Sequence, residues 1–122
     1  MQENQNKPIY DLEERTFQYA KKVRLWVKTI PKTVENIEDI KQLIKASGSV
    51  GANYIEANEA LGKKDFAMRI RISRKEVKES AYWIRLILET NDNLPDIETG
   101  KYLFQEATEL KKILSAIEVK SK

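Results

Sequence analysis

The 122-residue chain has no cysteine, which excludes disulfides, thiolate metal sites and thiol nucleophiles. It has no histidine either, and that absence removes more chemistry. Histidine is the side chain best suited to proton transfer near neutral pH, and it is the commonest transition-metal ligand. A bundle-type di-iron centre needs Glu-x-x-His pairs. The i,i+3 pairs Glu56/Glu59, Glu76/Glu79 and Glu106/Glu109 are therefore expected to be surface carboxylates of a highly charged chain. Long apolar runs are also missing, since no stretch approaches the ~18 uninterrupted apolar residues of a membrane span. The polar opening Met1-Gln2-Glu3-Asn4-Gln5-Asn6-Lys7 lacks the apolar run of a secretory signal. The expectation is a cytoplasmic protein with no membrane association, no cofactor, no metal site and no small-molecule substrate. Catalysis is not expected.

Glycine and proline are scarce, at four and three residues, and most fall where helices should stop. Asp11 with Glu14 forms a capping-box pattern, and from there Leu12, Thr16, Tyr19, Ala20, Val23, Trp26, Val27 and Ile30 recur in helical phase up to Pro31. A second helix is predicted from about Glu35 to Leu61, with Ile37, Ile40, Ile44, Ser47, Gly48, Gly51, Ile55 and Asn58 facing inward. Ser47-Gly48-Ser49 could instead be a loop, but the apolar phase is unchanged on either side, which favours a continuous helix with a close approach at the small residues. A third helix is predicted from about Asp65 to Thr90 on the stripe Phe66, Ile70, Ser73, Val77, Ser80, Ile84, Ile87 and Leu88. The turn cluster Asn91-Asp92-Asn93-Leu94-Pro95-Asp96 ends it. The last helix runs from Ile97 to Val119, with Leu103, Ala107, Leu110, Leu114 and Ile117 in phase. Short connections favour antiparallel neighbours, so the fold class is all-α, an antiparallel up-down four-helix bundle. It covers residues 11–119, between a polar lead (1–10) and a short tail (120–122).

Two further features emerge on helical wheels. The first is surplus apolar surface: Leu43, Val50, Tyr54 and Leu61 on the second helix, and Met68, Ile72, Trp83 and Leu86 on the third. Helices with two apolar faces usually bury the second, so these residues are expected to form a self-association surface; scattered exposed hydrophobes are the alternative. The second feature is a basic row on the third helix: Lys64, Arg71, Lys75, Lys78 and Arg85, flanked by Lys63 and Arg74. Such a row could track the phosphates of RNA or DNA. The alternative is a solvated face partly neutralised by Glu76 and Glu79, with Asp65–Arg69 an ordinary i,i+4 pair. The overall balance of 22 Lys plus Arg against 19 Asp plus Glu is only mildly basic, so any such partner must be read locally. Gly62-Lys63 fails as a P-loop, because Ala57 stands at the first glycine and Lys64 at the Mg²⁺-binding Ser/Thr. Ser49 between Gly48 and Gly51 has the wrong spacing for a nucleophile elbow.

Ala46-Ser47-Gly48-Ser49-Val50-Gly51-Ala52-Asn53-Tyr54-Ile55-Glu56-Ala57, then Lys63-Lys64-Asp65-Phe66 and the Arg/Lys-rich run to Glu79-Ser80-Ala81-Tyr82-Trp83, resembles the bacterial 23S rRNA intervening sequence proteins. Asp11-Leu12 before an aromatic-bearing helix fits the opening of that family. The likeness spans most of the chain and is strongest over residues 46 to 88. It departs where Glu56 is followed by Ala57 rather than by the usual glycine. The resemblance implies an antiparallel bundle assembling as a ring-shaped homo-oligomer, commonly a pentamer, with no established biochemical role and no catalytic residue to carry over. A structural relative, the accessory protein of diversity-generating retroelements, is a basic pentamer that associates with a reverse transcriptase and nucleic acid. By analogy of fold it supports the basic face. The alternative function is a structural or protein-interaction module with no nucleic-acid role.

Overall fold

The computed structural model describes residues 12–121. Its four helices are α1 (Leu12–Val27), α2 (Val34–Asn58), α3 (Lys63–Thr90) and α4 (Ile97–Lys120), with bounds within one turn of those expected. Asp11, and with it the Asp11–Glu14 capping box, lies outside the described residues. The other stops and starts have local causes. After Val27 the chain tightens, with Thr29 N–H donating to the Trp26 carbonyl at 2.9 Å, and Pro31 cannot continue a helix. The Thr33 hydroxyl caps α2 by accepting from Asn36 N–H at 3.1 Å. Asp96 caps α4, accepting from Thr99 N–H at 3.1 Å and from the Thr99 hydroxyl at 2.7 Å. Those two bonds hold its carboxyl below the usual range.

Each helix packs on its chain neighbours and α4 returns to α1, with the α2–α3 seam the most extensive and α1–α4 the thinnest. Polar contacts fix the antiparallel sense. Asn58 near the end of α2 donates to Glu13 at the start of α1 (2.8 Å), and Asn36 exchanges reciprocal amide bonds with Asn91 at 2.8 and 2.9 Å. The core holds Leu12, Tyr19, Val23 and Trp26 from α1, Ile70, Val77, Ile84 and Ile87 from α3, and Leu103, Ala107, Leu110 and Leu114 from α4. The inward stripes expected for these three helices supply those residues.

Helix α2 is continuous through Gly48 and Gly51. A Cβ on Gly51 would lie 2.9 Å from Thr16 Oγ1, so glycine sets the spacing of α1 and α2 there. The orientation of α2 differs from expectation. Ile37, Ile55 and Asn58 are exposed, whereas Leu43, Ala46, Val50, Tyr54 and Ala57 face the core. The stripe is rotated by roughly 100°, about the step of one residue. The cause is the long seam with α3, where the Ser73 hydroxyl donates to the Val50 carbonyl at 2.7 Å and draws that face of α2 inward.

Candidate nucleic-acid interface on the third helix

The core stripe of α3 (Ile70, Ser73, Val77, Ser80, Ile84, Ile87) leaves its other side to solvent. Lys63, Lys64, Arg71, Lys75, Lys78 and Arg85 are exposed there, and Arg74 is half-buried. Lys64, Arg71, Lys75 and Lys78 are separated by seven, four and three residues, which aligns them along the helix.

The arginines and lysines of this row differ in their partners. Arg71 Nε donates to Glu118 Oε2 at 2.9 Å and Arg74 Nε to Glu118 Oε1 at 2.8 Å. One largely buried carboxylate on α4 thus holds two guanidinium groups, and the Arg71 and Arg74 contacts hold its pKa below the usual carboxylate range. Arg85 pairs with Glu89 at 2.9 Å, an exposed i,i+4 pair of little energetic weight. Lys63, Lys64, Lys75 and Lys78 make no ion pair among the described residues. Glu76 and Glu79 pair with none of the row within that same set. Glu79 accepts instead from Trp83 Nε1 at 3.3 Å, and Glu76 is shifted up by partial burial and then by Glu79, against the pull of Lys75 and Lys45. Arg69 donates to Asn53 Oδ1 at 3.1 Å rather than forming the expected pair with Asp65.

The apolar face expected for self-association is only partly on the surface. Leu43, Val50 and Tyr54 are core residues and cannot meet a partner, a direct consequence of the rotated α2. Leu61 and Met68 are exposed, while Ile72, Trp83 and Leu86 are half-buried, Trp83 against the core. A different apolar patch lies on α1 and α2. Phe17 and Leu25 (58% and 54% exposed) line a cleft of about 320 Å³ with Ala20, Arg24 and Gly48, and Ile37 and Ile55 are exposed along α2. Its sequence signal was two large apolar residues off the core stripe of α1.

The α1–α4 seam carries a cleft of about 340 Å³ lined by Arg15, Gln18, Tyr19, Lys22, Tyr102 and Glu106. Arg15 and Glu106 close on each other with bonds of 2.7 and 3.0 Å, a pairing that raises the Arg15 pKa. Lys22 sits 5.2 Å from the centre of the Tyr102 ring. Gln18 donates to Glu14 at 2.7 Å and the Tyr19 hydroxyl lies 2.6 Å from Ser80 Oγ, so the lining groups are engaged and form no nucleophile–base pair. No group of three or more Asp and Glu among the described residues is placed to hold a metal ion. No described helix is long and apolar enough to cross a membrane.

No curated protein matches the chain. The crystal structure of a Bacteroides thetaiotaomicron protein of unknown function, from the S23 ribosomal protein family, is similar to it at 25% identity and a TM-score of 0.75. That match covers 87% of this chain and 96% of the other. The profile of the 23S rRNA-intervening sequence proteins matches residues 10–116, most of the chain, and the chain belongs to that family.

Proposed function

We propose that this non-enzymatic bundle is a cytoplasmic homo-oligomer, a ring of five copies as the family resemblance implies, that binds RNA or DNA through the basic face of α3. The observation that carries the reading is the set of exposed lysines, Lys63, Lys64, Lys75 and Lys78, with no ion pair among the described residues. An unpaired ammonium is free to displace a counterion from a phosphate, which is the source of sequence-independent affinity. Arg71 adds to the row despite its contact with Glu118, since two guanidinium groups on one carboxylate leave net positive charge. A ring would repeat the row around the assembly and raise avidity.

The test is retention of RNA and of DNA by the purified protein across a salt series, for wild type and for the charge reversal Lys64→Glu/Lys75→Glu/Lys78→Glu. Wild type should bind at low salt and release steeply as salt rises, and the variant should not bind. Wild type that never binds refutes the nucleic-acid role.

The competing reading is a protein-interaction module, and the exposed Phe17, Leu25, Ile37 and Ile55 favour at least self-association. Sedimentation velocity should then find an oligomer. A strict monomer at micromolar concentration contradicts the assembly without touching the basic face.

A further inference from the structure

Within the basic row of α3 stands one aromatic residue, Tyr82, whose exposure of 58% is large for a tyrosine beside a bundle core. It follows Lys75 by seven residues and Lys78 by four, and it precedes Arg85 by three, so it shares their face of the helix. At ~1.5 Å of rise per residue, Lys78 lies ~6 Å and Lys75 ~10 Å from it along the axis. Its ring meets Trp83 edge-to-face, with centroids 4.9 Å apart and planes at 82°. Such a contact covers at most one face of the Tyr82 ring, whichever ring supplies the edge. A notch of about 190 Å³ opens beside it, lined by Tyr82, Arg85, Leu86 and Glu89.

We infer that Tyr82 is a stacking platform for an unpaired base, so that the ligand of the α3 face is single-stranded nucleic acid rather than duplex. This deepens the nucleic-acid reading and rests on it. In a duplex both faces of each base are covered by neighbouring bases, and a side chain can reach only base edges and phosphates. An unpaired nucleotide can turn a face to the ring while its flanking phosphates meet Lys78 and Arg85 on either side. Stacking tolerates any base, which suits a row of lysines that reads charge alone. The contact with Trp83 holds the ring in place before binding, so little side-chain freedom is lost when a base stacks.

The experiment is fluorescence anisotropy with labelled oligo(U), oligo(dT) and a blunt duplex of equal length, for wild type, Tyr82→Ala, Tyr82→Phe and Lys75→Glu/Lys78→Glu. Circular dichroism melts confirm that each variant folds. Wild type should prefer both single strands to the duplex. Tyr82→Ala should weaken single-strand binding on the order of tenfold, with little effect on the duplex, and Tyr82→Phe should retain wild-type affinity. If Tyr82→Ala binds single strands like wild type while the charge reversal abolishes binding, the stacking role is wrong and the phosphate-binding face stands. A wild-type preference for the duplex overturns the stacking role in the same way. If no probe binds wild type in a salt-sensitive way, both the stacking role and the face are refuted.

Discussion

Gly100→Ala should destabilise the bundle even though alanine is the better helix former. Gly100 lies in the first turns of α4, and a Cβ built there would sit 2.5 Å from Trp26 Cζ2 and 2.8 Å from Leu88 Cδ2. Trp26 has nowhere to go. It is 1% exposed, and its indole N–H donates to the Asp96 carbonyl at 2.9 Å, tying the ring to the residue that caps α4. Overpacking a filled core costs about 1–3 kcal/mol. The gain from replacing a helical glycine is at most about 1 kcal/mol. A 2.5 Å approach to a locked ring places the cost in the upper part of that range, so the net expectation is a loss of about 1–2 kcal/mol, seen as a fall of roughly 4 °C in Tm per kcal/mol. Gly48→Ala is the internal control. The nearest group to its Cβ is Arg24 Nη2 at 3.1 Å, the exposed end of a flexible side chain, so Gly48→Ala should gain roughly 0.5 kcal/mol. Urea titration followed by far-UV circular dichroism measures both. A Gly100→Ala protein as stable as wild type would refute the packing argument.

Two further substitutions probe polar groups of the bundle. The buried Tyr19 hydroxyl lies 2.6 Å from Ser80 Oγ, so Tyr19→Phe should cost about 1 kcal/mol in urea titration, with coupling to Ser80→Ala in a double-mutant cycle. Burial raises the pKa of that phenol above its ordinary value, so its contribution is complete below pH ~10 and declines as pH climbs further; the Tyr19→Phe protein should lose that part of the alkaline decline. Glu118→Gln should lower stability by about 1 kcal/mol while leaving nucleic-acid retention equal or higher, because it releases Arg71 and Arg74 from a carboxylate. The lowered Glu118 pKa means its contribution is present above pH ~4.3 and fades as pH falls through the folded-state value, so acid titration of the variant should show a shallower loss.

Three of the four helices were legible in sequence because each carries one dominant apolar stripe that outweighs the hydrophobic residues beside it, such as Phe17 and Leu25 on α1 or Met68 on α3. On α3, Ile70, Val77, Ile84 and Ile87 allow only one inward face, and the basic row opposite follows from it. Helix α2 defeats the same logic because both of its sides are apolar. Ile37, Ile40, Ile44 and Ile55 on one side compete with Leu43, Ala46, Val50, Tyr54 and Ala57 on the other. Which side faces inward is decided by the α3 seam, a tertiary fact that no periodicity within α2 contains. The misplacement of Leu43, Val50 and Tyr54 as surface residues is that single rotation seen three times. Lys63, Lys64, Lys75 and Lys78 could be named from sequence as candidates, but their lack of ion pairs among the described residues could not. Glu118 lies some forty residues or more from Arg71 and Arg74, and only the α3–α4 packing brings it to them. Gly100 carried no signal of its own, since its requirement comes from Trp26 on another helix.

The central claim, that the exposed lysines of α3 contact phosphate, is tested most directly by the slope of log affinity against log salt on a single-stranded oligonucleotide. Each phosphate contact contributes about 0.7 to that slope, so Lys75→Gln/Lys78→Gln should make it shallower by about 1.4. An unchanged slope in that variant, or a wild-type affinity indifferent to salt, would contradict the account.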